Sequence, residues 1–315
     1  PPPPRRPPRP LPAPPSSAPH PAGGGAPRPG GARPRRGMRT VGAWCFADHM
    51  GPEIVTETQG LDVGPHPHIG LQTATWLLDG SILHTDSLGS EQLIRPGQLN
   101  LMTAGRGIAH AEESVRARAG SGSSTLHGVQ LWIAQPSRTR DGVSAFAHIA
   151  ELPQLDVGHG TATVFIGEYG DAESKAQTDT ALVGLDLALT AGTSAWPLRP
   201  DFEYAVYVIT GEVIVTSSAG ETPVREGQLL DLRQHGGEMS LRVPHAARLL
   251  ILGGEPLGET LYMWWNFVGR SREEIAQAAR DWSEYAATGA RSTLGTERFA
   301  RVPSTLAPIP APALI

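Results

Sequence analysis

Trp76-Leu77-Leu78-Asp79-Gly80-Ser81-Ile82 returns 131 residues later as Tyr207-Val208-Ile209-Thr210-Gly211-Glu212-Val213, and Arg95-Pro96-Gly97-Gln98-Leu99 returns 130 residues later as Arg225-Glu226-Gly227-Gln228-Leu229. Each copy reads as a strand, a Gly turn, a second strand, and a Gly turn into a third. A repeat at a fixed offset means one supersecondary unit used twice. Around it, short apolar runs are broken by Gly, Pro, Asp and Ser every eight to twelve residues, the pattern of an all-β sandwich or barrel. Strands are expected over 71–78, 81–85, 98–102, 128–134, 161–166, 182–189, 204–209, 212–216, 228–232 and 247–252. Two tandem copies of one small β-barrel follow, with the join near residues 150–160.

Outside the repeat, residues 1–37 hold 15 of the 30 prolines and seven Arg with no acid. Such a segment cannot bury a core and is expected to be disordered; Met38 opens the first stretch of ordinary composition and is the expected start of the folded part. The other residues carry 19 basic and 31 acidic side chains, so the folded body is acidic. That argues against direct nucleic-acid contact, which depends on neutralising phosphates. No apolar run is long enough to span a membrane, and no signal peptide is visible. The single cysteine, Cys45, excludes a disulfide framework and a cysteine zinc site. A cytoplasmic monomer is expected. Ser271-Arg272-Glu273-Glu274 is a capping box, and Ile275, Ala278, Ala279 and Trp282 follow at helical spacing, which predicts a helix over about 272–287. The expected division is a first barrel over 38–155, a second over 156–290 including that helix, and a Pro/Ala-rich tail over 291–315.

The chemistry is concentrated in two short motifs, His66-Pro67-His68 and His110-Ala111-Glu112. Residues two apart on a strand point the same way, so each pair can aim both members at one point. Two such strands facing each other inside a barrel would gather three imidazoles and a carboxylate, donors suited to a first-row transition metal. Carrying the four positions across the repeat lands on Pro197, Arg199, Ser240 and Arg242, none of them a ligand. The second barrel therefore reads as structural. His235 and His245 lie out of register, and His84 and His148 fall outside the paired spacing; all four read as ordinary histidines. Arg106 reads as a turn residue that either positions an anionic ligand or is solvated, Trp264-Trp265 as core between barrels, and His127 as a histidine that either supports the metal site from behind or lies at a strand edge with no metal role.

Several motifs together resemble the pirin family of two-barrel proteins in the cupin superfamily: Pro65-His66-Pro67-His68-Ile69-Gly70, Ile94-Arg95-Pro96-Gly97, the run from Met102 through Thr103-Ala104-Gly105-Arg106-Gly107-Ile108-Ala109-His110-Ala111-Glu112, and His127-Gly128-Val129-Gln130-Leu131-Trp132. The resemblance implies two tandem cupin (jelly-roll) β-barrels with a C-terminal helix, and one divalent metal, iron, held by His66, His68, His110 and Glu112. It also implies a reaction, since some pirins resemble quercetin 2,3-dioxygenases: a flavonol-like substrate and dioxygen would meet at the metal, with Glu112 as the catalytic group that takes the substrate's hydroxyl proton. The alternative it leaves open is a non-enzymatic, redox-sensing regulator that binds a transcription or metabolic protein partner. Two departures stand out. Ile69 replaces a common Arg, and Gln72 replaces a Glu that is itself a ligand in many cupins.

Overall fold

The computed structural model describes residues 40–116, 123–232, 237–288 and 298–314. The expected disordered segment 1–37 and His235 lie outside the described residues. The chain forms two compact units, and neither is a continuous stretch of sequence.

The unit holding the two histidine motifs comprises Phe46–Glu151 and the chain from Glu259 onward. Its strands are β1 (Trp44–Val55), β2 (Asp62–His68), β3 (Leu71–Asp79), β4 (Ile82–Asp86), β5 (Glu91–Ile94), β6 (Leu99–Thr103), β7 (Ile108–Ser114), β8 (Ser124–Ala134) and β9 (Ala145–Ile149). They make two sheets, ordered β1-β8-β3-β6-β9 and β2-β7-β4-β5. Inward-facing Met50, Val55, Leu77, Ile82, Ile94 and Leu126 cluster as an apolar plug, and the polar residues of the same strands lie beyond it. Alternation thus puts apolar plug and polar site on one inner face, separated along the strands.

The second unit comprises Leu152–Gly258 and the segment ending at Cys45. Its strands are β10 (Gln154–Asp156), β11 (Gly160–Tyr169), β12 (Ala172–Glu173), β13 (Leu182–Leu198), β14 (Glu203–Thr210), β15 (Glu212–Ser217), β16 (Gly220–Arg225), β17 (Leu229–Asp231) and β18 (Gly237–Gly254). The inner side is filled by apolar rows, among them Leu185, Leu187, Trp196, Val206, Val208, Leu241 and Leu249, which leaves it a packed core. Gly42, at φ 54°, lies so close to Gly254 that a Cβ would stand 2.6 Å from its Cα, and Trp44 Nε1 donates to Gly253 O at 3.0 Å.

After residue 258 the chain forms a hairpin, β19 (Tyr262–Trp264) and β20 (Phe267–Gly269), and then helix α1 (Arg272–Thr288). The Ser271 half of the capping signal forms as predicted, with Glu274 N–H donating to Ser271 Oγ at 3.2 Å, while the Glu274 carboxylate accepts at 2.8 Å from Arg270 N–H, one residue before the cap. Its apolar stripe, Ile275, Ala278, Ala279, Trp282 and Tyr285, packs with Ile69, Ala109, Ala111 and Phe267. Ala109 and Ala111 lie on the face of β7 opposite His110 and Glu112. The helix expected with the second barrel therefore belongs to the first. Each large side chain in this stripe contributes about 1.5–3 kcal/mol by burial. The expected Pro/Ala-rich tail is also packed where it is described: Phe299 and Val302 join the same cluster, and Ile309 N–H donates to Pro65 O at 2.8 Å. Its prolines sit in a segment that contributes only isolated hydrogen bonds, a role that does not require regular strand structure.

Candidate metal centre

On β2 and β7, His66 stands opposite His110 and His68 opposite Ile108. The two motifs therefore lie on hydrogen-bonded neighbours in one sheet, not on strands facing each other as expected. Antiparallel neighbours serve equally well, because cross-strand pairs on one face are only about 4.5–5.5 Å apart. His66, His68, His110 and Glu112 are each at most 5% exposed. His66, His68 and His110 form one group whose ligand atoms lie within 4.8 Å of each other, and His84, His110 and Glu112 form a second around the same His110.

The hydrogen bonds fix the tautomer of each imidazole. His66 Nδ1 faces Gly64 O at 2.9 Å and His68 Nδ1 faces Asn266 O at 3.1 Å. A carbonyl only accepts, so both Nδ1 atoms carry the proton and both Nε2 atoms present lone pairs. His110 is set by a longer chain. His84 Nε2 lies 3.3 Å from Asp86 Oδ2, and His84 Nδ1 lies 3.4 Å from His110 Nδ1. With the Asp86 carboxylate accepting from Nε2, His84 Nδ1 is an acceptor, and His110 must donate through Nδ1. All three Nε2 lone pairs then point inward. His68 Nε2 and His110 Nε2 are 3.1 Å apart, a contact that two lone pairs make unfavourable unless a cation lies between them. This donor set fits a divalent first-row metal.

Burial keeps these rings neutral. It pushes the His66 pKa down to about 4 and those of His68 and His110 well below the usual imidazole value, the neighbouring histidines adding to the effect. Burial drives Glu112 the other way, above the ordinary carboxylate range, against the opposing influence of His84 and of hydrogen bonds. Those bonds come from Gln130 Nε2, at 2.8 and 3.0 Å from the two carboxylate oxygens, and from Thr75 Oγ1 at 3.3 Å. Asp86 is pushed up by burial but ends below its usual value, because His84 and Ser90 hydrogen-bond to it. Trp132 meets His68 edge-on at 5.3 Å and packs against Phe46 at 4.5 Å, forming an aromatic wall.

His84 was missed in the sequence, where it stood outside the paired motifs; β4 pairing with β7 sets it opposite Glu112. Its signal was its own alternation with Asp86, which repeats the two-residue spacing. Asn266 left no signal, being a backbone carbonyl on the turn between β19 and β20, where Trp265 has φ 52°. Gly70, at φ 66°, admits that hairpin: a Cβ there would meet Val268 O at 2.2 Å. Gln72 bonds Thr103 Oγ1 at 2.9 Å across β3 and β6, on the strand face opposite Thr73 and Thr75. His127 Nε2 stands 2.7 Å from His49 Nε2, and His127 joins neither metal-capable group. Trp264 and Trp265 pack within the helix-side cluster of this unit rather than between barrels. Arg106 is an exposed turn residue whose carbonyl accepts from Arg298. In the second unit, Arg199 pairs with Asp201 and lies 4.1 Å over Phe202, and His245 is exposed. Among the described residues neither metal-capable group falls in that unit.

The family model described as Pirin matches residues 28–133, and that described as Pirin C-terminal cupin domain matches residues 184–287. A Pseudomonas aeruginosa protein named "Putative quercetin 2,3-dioxygenase" is 44% identical over 250 residues, 79% of this chain and 76% of that protein. A "Pirin-like protein" of Caulobacter vibrioides is 35% identical over 251 residues, 78% of this chain and 84% of its own length. The crystal structure of a quercetin 2,3-dioxygenase from Acinetobacter baumannii superposes with a TM-score of 0.80 at 38% identity, covering 90% of each chain. This chain belongs to the pirin family and is a two-barrel cupin protein.

Proposed function

We propose that the protein is an iron-dependent dioxygenase of the quercetin 2,3-dioxygenase type, acting on a flavonol-like aromatic. One observation carries the reading: three buried imidazoles with their Nε2 lone pairs turned inward, two of them 3.1 Å apart, beside a buried carboxylate. The names of the similar proteins from Pseudomonas and Acinetobacter support the reaction class. His66, His68, His110 and Glu112 would hold the metal. Iron there would supply Lewis acidity toward a bound hydroxyl and electron exchange with dioxygen. Glu112 is the proton acceptor for a substrate hydroxyl. Its raised pKa brings it nearer to the value a base needs, and Gln130 and Thr75, both neutral donors, hold it without neutralising its charge. Trp132 and Phe46 provide an apolar wall against which an aromatic ring can lie.

The test is to purify the protein with the metal it acquires in the cell, identify that metal by elemental analysis, and follow dioxygen uptake with quercetin, with His66→Ala as control. Stoichiometric iron and quercetin-dependent uptake that is lost in His66→Ala are expected. Absence of metal would overturn the ligand assignment, and metal without quercetin-dependent uptake would overturn the enzymatic reading.

A further inference from the structure

β2 is the edge strand of its sheet, with β7 on one side and no strand on the other among the described residues. Its pairing with β7 is interrupted just before the first histidine of the centre. Val63 stands opposite Glu112 and His66 opposite His110, so Gly64 and Pro65 together share the span that Ala111 alone covers on β7, a β-bulge. This dipeptide carries the Gly64 carbonyl that accepts the Nδ1 proton of His66. Pro65 has no N–H, so the Gly64–Pro65 peptide group cannot be held by donation from its own nitrogen. The direction of the His66 lone pair therefore depends on what fixes these two residues from outside the sheet.

The segment 302–311 lies there. Ile309 N–H donates to Pro65 O at 2.8 Å, and a Cβ on Gly64 would stand 2.4 Å from the Ala307 carbonyl oxygen. The segment is itself anchored: Trp282 Nε1–H on α1 donates to Ile309 O at 2.8 Å, Ser304 Oγ–H donates to Glu113 Oε1 on β7 at 2.9 Å, and Val302 is buried in the helix cluster. Ile309 thus joins β2 to α1 through its two backbone groups. The sequence around it, Ala307-Pro308-Ile309-Pro310-Ala311, sets the register. Both neighbours of Ile309 are prolines, so a slip of one residue in either direction would leave Pro65 O without a donor. The prolines also restrict φ, so less conformational freedom is lost when the segment docks.

We propose that segment 302–311 is a positioning strap for the metal centre: by seating Ile309 on Pro65 and Ala307 against Gly64, it holds the carbonyl that sets the tautomer and direction of His66. This rests on reading His66 as a metal ligand. Without the strap the bulge is free to turn, the Gly64 carbonyl leaves Nδ1, and the ring samples both tautomers, one of which protonates Nε2. Loss of such a partner behind a histidine ligand lowers metal affinity by about 10- to 100-fold.

The probe is Co(II), whose visible absorption bands report the geometry of its ligands, titrated against a competing chelator into the metal-free full chain. Ile309→Pro removes the N–H, while Ile309→Val keeps it. Ile309→Pro is expected to weaken Co(II) binding about tenfold or more and to shift the absorption bands, with Ile309→Val matching the wild type in both. Urea unfolding of the metal-free proteins reports whether each variant is folded. If Ile309→Pro does not unfold cooperatively, Trp282→Phe carries the test, since it removes the bond to Ile309 O and keeps an aromatic ring in the cluster. Its affinity is expected to fall at least about threefold, the order of one neutral hydrogen bond. A wild type that binds Co(II) while the folded variants keep its affinity and its absorption bands overturns the strap alone. An Ile309→Val that binds as weakly as Ile309→Pro overturns the bond to Pro65 as the strap's means of action. A wild type that takes up no Co(II) overturns the ligand assignment, and the strap with it.

Discussion

Asp86→Asn should uncouple metal affinity from stability. Asp86 Oδ1 accepts from Leu88 N–H and Ser90 N–H at 2.8 and 3.0 Å, while Oδ2 faces His84 Nε2. An asparagine keeps the first two bonds by leaving its carbonyl oxygen in the Oδ1 place. Its NH2 then faces His84, which must become an acceptor at Nε2 and carry its proton on Nδ1. That proton points at His110 Nδ1, 3.4 Å away, so His110 in turn shifts its proton to Nε2. The shifted proton lies between His110 and His68, where it forms a hydrogen bond and occupies the lone pair a metal needs. The metal-free variant is therefore expected to be as stable as the wild type or more so. Its affinity for a divalent ion is expected to fall 10- to 100-fold, about 1.4–2.7 kcal/mol, the usual effect of losing an orienting partner behind a histidine ligand. Ni(II), which is stable in air, can be titrated against a competing chelator, with urea unfolding of the metal-free proteins run in parallel. His84→Ala is the companion variant: water can replace the lost acceptor, so its loss of affinity should be the smaller. An Asp86→Asn affinity within twofold of wild type would refute the tautomer chain from Asp86 to His110.

Other consequences can be measured separately. Glu112→Gln should lower quercetin turnover by at least about 100-fold through loss of the proton acceptor, while a folded protein with three imidazoles still takes up some metal; retained turnover would remove Glu112 from the reaction. Metal-free protein should lose stability as pH falls below 6.5, because His66 stays neutral down to about 4 while its unfolded counterpart is charged. The slope is about 1.4 kcal/mol per pH unit for each such imidazole, and urea midpoints that stay flat from the ordinary imidazole pKa down toward that of His66 would contradict it. Trp282 is fully buried against Phe299 and Tyr285, so Trp282→Ala should cost about 3–5 kcal/mol in urea unfolding; a cost under about 1 kcal/mol would show that the helix is not part of the barrel's core.

The parts legible in the sequence were those governed by short-range periodicity. His66 with His68, and His110 with Glu112, follow from alternation along a strand, and the doubled barrel from the repeated turn motifs. The helix from Ser271 was legible from its cap. Its position was not, because an apolar stripe states that a face is buried and not against what. His84 escaped notice for a related reason: its role depends on the register of β4 against β7, which no local pattern encodes. Gln72 occupies the place of a ligand in its motif, yet one step along β3 turns its side chain to the other face. Asn266 acts through a carbonyl that any residue carries, so its identity could give no sign.

The partner of His68 comes 198 positions after it in the chain, and that distance has a consequence in time. A ribosome adding about 5–20 residues per second needs roughly 10–30 s to pass from residue 110 to residue 266. Throughout that interval the nascent chain has all three histidines but neither the Asn266 carbonyl nor the helix behind them. Metal loading in its final geometry must wait until the segment after residue 258 has been made, although every proposed ligand lies within the first 112 residues. A stop codon or cleavage far beyond the last ligand would therefore yield a chain that retains all four ligands and lacks the support that orients them.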